Sequence, residues 1–121
     1  MINEYIPGDL VMYNTKVNKI EETINTTYVE LEDYAVSIPI YDIKPIPLTP
    51  EILQKNGWKY TKIAPSLYQY YKDDIYIKYD KLEEKFKFDD LYWSAYSFEI
   101  PYVHTLQHLL FGLGLKSEME V

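Results

Sequence analysis

Short apolar–polar alternations, broken every few residues by a polar step, set the frame for what this chain can fold into. Leu10 to Tyr13, Lys16 to Ile24, Tyr28 to Leu31 and Tyr34 to Ile38 all have strand character. Asn14-Thr15, Asn25-Thr26 and Glu32-Asp33 separate them. Period-two alternation bounded by turn residues predicts short antiparallel strands rather than helices or a parallel sheet. Pro39, Pro45 and Pro47 then stop any regular continuation. Four or five short strands in this opening segment predict a small SH3-like barrel, a form that removes most strand edges.

A second meander follows one strong helix signal. Thr49 is a good N-cap, Pro50 fits the first helical position and Glu51 lies in the first turn. Gly57 is a natural left-handed stop, so a helix over Pro50–Asn56 is predicted. Trp58, Tyr60 and Ile63 lead into Leu67–Tyr71, with Asp73-Asp74 as a turn. Ile75, Ile77 and Tyr79 alternate with polar neighbours, Phe86 and Phe88 do likewise, and Tyr92–Phe98 reads as the last strand. Pro101 opens a final helix from Tyr102 to about Leu113. Its apolar arc (Tyr102, Val103, Leu106, Leu109, Leu110, Leu113) is expected to cover the packed face of the meander. The fold class is therefore α+β: residues 1–47 as a barrel-like subdomain, and 48–121 as helix, antiparallel meander and C-terminal helix. The two could also form one compact unit.

Composition narrows the chemistry. The chain has 121 residues and no cysteine, so disulfides, thiolate zinc sites and Cys nucleophiles are excluded. The net charge is −7, and every basic residue is Lys. Without Arg, and with a field that repels phosphate, direct nucleic-acid binding is not expected. The start of the chain lacks a basic, apolar leader, and no apolar run is long enough to span a bilayer, so a cytoplasmic or virion location is expected.

Three blocks carry a family resemblance. Gly8-Asp9-Leu10-Val11, IKPIPLTPEILQKNGW (Ile43–Trp58) and YVHTLQHLLFGLGLKSEMEV (Tyr102–Val121) resemble a family of small proteins of gut anaerobes, their phages and mobile elements. Members pair a "G-[DN]-x-V" opening with a "PIPLTxExLxKNGF" helix and end in "YVHxLQNLxxALTGxELEV". This chain has His108 where the family more often has Asn. The resemblance implies a phage or mobile-element setting and brings no activity, cofactor or site residue with it.

No G-x-G-x-x-G, P-loop or G-x-S-x-G pattern is present, so a non-enzymatic role with no cofactor is expected. His104 and His108 lie four apart on the predicted helix, a spacing that can clamp a transition metal. They lack the third ligand and the Glu of H-E-x-x-H, so the weak metal reading stands against one in which both are polar residues on the outer helix face. With Gln107 and Phe111 they make a candidate contact surface there. Tyr76 and Tyr92 are candidates for an exposed aromatic surface on the meander. Asp73, Asp74, Glu83 and Glu84 fall in turns. Their plain role is solvated turn chemistry; their functional one is to stand in for phosphates in an acidic mimic. The expected partner is another protein, of host or phage, and a homo-oligomer is compatible with the same surface. The expected function is that of an interaction module, with a host-defence inhibitor or a small virion protein as alternatives.

Overall fold

A computed structural model describes residues 5–25, 27–89 and 97–121. The chain is α+β, and the described residues form two five-stranded antiparallel sheets and two α-helices. It divides into two compact units: Met1–Pro47 with Tyr102–Met119, and Leu48–Pro101 with Glu120–Val121. In chain order the second unit is thus an insertion in the first.

The first unit contains β1 (Leu10–Tyr13), β2 (Lys16–Ile24), β3 (Tyr28–Leu31), β4 (Ser37–Pro39) and β5 (Lys44–Pro45). A single 3-10 turn, Ile40–Asp42, precedes β5. Hairpin β1–β2 turns on Asn14 and Thr15, both at positive φ as the tightest hairpin loops require. The sheet order is β4-β3-β2-β1-β5, and the β2–β3 register shifts between Ile20 and Glu22. No pairing joins β4 to β5, so the hydrogen-bonded ladder is open and not a closed barrel. The two edges are instead three and two residues long and contain Pro39 and Pro45, which cannot donate to a further strand. Tyr5, Val11, Ile20, Val29, Leu31, Ile38 and Ile43 form the core, with Tyr13, Tyr34 and Ile40 packed against it. The fourth strand begins later than its alternation suggests because Tyr34 N–H donates to the Leu31 carbonyl and closes a turn.

The second unit contains α1 (Pro50–Lys55), β6 (Lys59–Ala64), β7 (Leu67–Lys72), β8 (Ile75–Asp80), β9 (Lys85–Asp89) and β10 (Ser97–Glu99). The Thr49 hydroxyl accepts the Ile52 N–H and caps α1. Gly57, at φ +86°, carries the chain from α1 into β6. The sheet order β10-β9-β8-β7-β6 is a plain meander. Register puts Tyr60, Tyr70, Ile77, Phe88 and Phe98 in one row across the sheet, and Lys62, Tyr68, Tyr79 and Phe86 in the next row of the same face. Their rings interlock: Tyr79–Phe86 at 4.4 Å, Tyr60–Tyr70 at 5.4 Å and Phe88–Phe98 at 5.4 Å between centroids. Burial pushes the Tyr70 hydroxyl above its usual range. The opposite face carries Lys59, Thr61, Gln69, Lys78, Lys85 and Lys87, so the meander has one aromatic face and one charged, polar face.

The last helix, α2 (Val103–Gly112), corrects the expected domain plan. It groups with the N-terminal sheet, not with the meander. The Val103 N–H donates to the Ile46 carbonyl, and Tyr102 bridges to Pro47, which fixes its start beside the end of β5. Only the last two residues, Glu120 and Val121, return to the second unit. There Asn56 accepts the Glu120 N–H at 2.8 Å and donates to the Glu120 carbonyl at 2.7 Å.

Candidate functional site

The buried polar side chains of the first unit converge where α2 meets the turn before β1. Gly8, at φ +97°, bends the chain so that its N–H donates to the Ile20 carbonyl. Asp9, next in the chain, is 1% exposed. One of its carboxylate oxygens, Oδ2, accepts the Ile6 N–H at 2.9 Å and lies 2.8 Å from His108 Nε2. A His108 tautomer protonated at Nε2 would donate to that oxygen, which also accepts from Ile6. Gln107, 3% exposed, works on both sides of Asp9. Its Oε1 accepts the Leu10 N–H at 2.9 Å, and its Nε2 donates to the Gly8 carbonyl at 3.0 Å and the Ser117 carbonyl at 3.1 Å. Helical spacing puts His104, Gln107 and His108 on neighbouring positions of one helix face, since residues three and four apart adjoin. His104, 2% exposed, has its ring stacked on Tyr102 and tilted against Tyr5, with His108 edge-on at 5.5 Å.

This overturns the expected orientation of α2. His104 and Gln107 lie inside rather than on an outer face, while Leu113, assigned to the core arc, is half exposed. The reason is chemical: the Gly8–Leu10 turn presents backbone groups that only a polar helix face can satisfy. Of the proposed contact surface, Phe111 alone is fully out, at 67% exposure, and His108 is half-buried against Asp9.

An Asp–His pair can pass a proton. Among the described residues, however, no group of three His, Cys, Asp or Glu side chains could hold a metal ion. The polar atoms of Asp9, Gln107 and His108 described above instead bind α2 to the turn. Burial pushes the Asp9 carboxyl above its usual range, partly offset by the Ile6 N–H and His108. The folded state therefore holds that proton more tightly than the unfolded one. The stabilisation from this group is complete below the unfolded value of about 3.9 and is lost as pH rises through the raised folded value. Asp9→Asn keeps an acceptor for Ile6 and is expected to change stability at neutral pH by about 1 kcal/mol or less. Wild-type stability, measured by urea denaturation, is expected to gain on that variant as pH falls towards 4.

The other singled-out residues do not join this cluster. Tyr76 lies half-buried on the charged face of the meander, its ring 6.3 Å from that of exposed Tyr71. Tyr92 lies outside the described residues. Asp73, Asp74, Glu83 and Glu84 are exposed, as turn residues should be. Asp73 and Asp74, both at positive φ, make the β7–β8 hairpin turn. The Glu pair lies in the β8–β9 turn, at the other end of the six-residue strand β8, roughly 20 Å away.

Asp9 and Asn18 are the buried polar residues that periodicity did not single out. A lone acid between a left-handed glycine and a strand was the available signal for Asp9. The Gly8–Leu10 turn and α2 are the two sides of this clamp.

Compared with models of protein families, with curated proteins and with solved structures, the chain gives no match.

Proposed function

We propose that this chain is a non-enzymatic interaction module, an accessory protein of a phage or mobile element that acts by binding another protein. The observation that carries this reading is the β6 edge of the second sheet. Its first five residues, Lys59 to Ile63, are all exposed, including Tyr60 at 51% and Ile63 at 47%. Exposed Tyr beside an open strand edge offers area, a hydrogen bond and a backbone ladder to a partner. The Asp9–Gln107–His108 cluster supports the same reading, because its hydrogen bonds serve the fold.

In this reading the first unit is an SH3-like module. Its strand order, its long β2 with a register shift and its 3-10 turn before the last strand support that assignment. Inhibition of a host defence protein and service as a virion accessory are two settings for one binding activity, inside the infected cell or in the particle.

Affinity capture from the native host with the tagged full chain tests the proposal. A saturable protein partner is the expected result. Recovery of nothing, or of the chain's own copies alone, would count against it.

A further inference from the structure

We infer that β6 is a strand-addition site for an extended, acidic segment of a partner protein, a step that rests on the interaction-module reading above. Four sheet edges exist among the described residues. Two are blunted, since β4 and β5 are short and contain proline, and the described part of β10 has three residues. β6 has six residues, contains no proline and, among the described residues, pairs on one side only. Every second residue of such a strand directs its N–H and C=O away from the sheet.

Charge defines the occupant. Residues 52–72 contain four lysines, Lys55, Lys59, Lys62 and Lys72, while all 19 acidic residues lie outside that stretch. Lys72 is engaged, donating to the Asn56 carbonyl at 2.7 Å. Lys59 and Lys62 are exposed and in no ion pair among the described residues. They lie on opposite faces of β6, Lys62 on the aromatic face with Tyr60 and Lys59 on the polar face with Thr61. A second copy of this chain is a poor occupant. Two β6 strands side by side would gather four lysines into one ladder with no acid between them, on molecules that each carry −7. Nucleic acid meets the same overall negative field and leaves the outward amides without a ladder partner. A peptide strand satisfies the amides, and acidic residues three apart meet Lys59 and Lys62. An apolar residue between them falls beside Tyr60.

The test is a titration of the full chain, observed by backbone amide NMR, with the capped octapeptide Ser-Glu-Val-Tyr-Glu-Val-Thr-Gly. The control peptide has both Glu replaced by Lys. The acidic peptide is expected to shift and protect the amides of residues 59–64, the control to bind about tenfold more weakly. The double variant Lys59→Glu/Lys62→Glu, altered only at exposed positions, is expected to reverse that preference. Absence of shifts, shifts centred elsewhere, equal binding of both peptides, binding of an eight-residue oligothymidylate in their place, or self-association through β6 would each overturn the inference. If host capture recovers the same partner with wild type and the double variant, the interaction reading stands and the β6 assignment fails.

Discussion

Replacing Gln107 by Ala is expected to lower stability by about 3 kcal/mol, read as a lower urea midpoint with an unchanged slope. The side chain is buried, and its single carbonyl is the acceptor for the Leu10 N–H. Truncation leaves that donor buried without a partner, which alone costs about 1–3 kcal/mol. The Gly8 and Ser117 carbonyls lose their donor as well. Gln107→Glu is the informative second variant. It restores an acceptor for Leu10 but sets a carboxylate against two carbonyl oxygens, so it is expected not to rescue. A rescue by Glu would show that the donor half of the amide is dispensable and that the clamp reduces to one hydrogen bond.

Replacing Phe86 by Ala is expected to have an effect at least as large, about 3–5 kcal/mol, through the second unit. Phe86 is 2% exposed, and its ring lies 4.4 Å from that of Tyr79 and 6.0 Å from that of Tyr70. Truncation removes the transfer free energy of a phenyl ring and leaves a void walled by two rings, with the paired strand β8 beside it to resist collapse. Phe86→Leu, which keeps most of the volume, is expected to cost less than half as much. Phe98→Ala makes the contrast on the same face. Phe98 is 44% exposed, so its truncation is expected to cost about 1 kcal/mol or less. Thermal unfolding of the three variants side by side checks the order, and equal losses at Phe86 and Phe98 would refute the burial argument.

Local elements were readable from local chemistry. β1, β2 and β3 start and stop where alternation meets Asn14-Thr15 and Asn25; Asn tolerates the positive φ seen at positions 14 and 25, whereas β-branched Thr15 adopts it at a steric cost. The α1 signal held because cap, proline and glycine all act within one turn of chain. Pairing partners were readable too, since short connections leave an antiparallel meander little choice. The face of α2 was not readable. A 3.6-residue pattern ranks side chains by apolarity, and it assigned Leu113 to the interior and Gln107 to the outside. The deciding partners, Gly8 and Leu10, are 99 and 97 residues away in sequence.

The sequence by itself determined that this would be an α+β chain of short antiparallel strands, because alternation, turn residues and caps are nearest-neighbour effects. It also determined that thiolate chemistry would be absent. Only the tertiary structure decided that the last helix belongs to the first sheet, and that Asp9, His104, Gln107 and His108 would be drawn together beneath it. A buried turn must find donors and acceptors for its backbone wherever the chain can supply them, and no local pattern records where that supply will come from. The same holds for β6. Its lysines were visible as letters, but being the one long edge among the described residues is a property of strand order, which exists only once the sheet has formed.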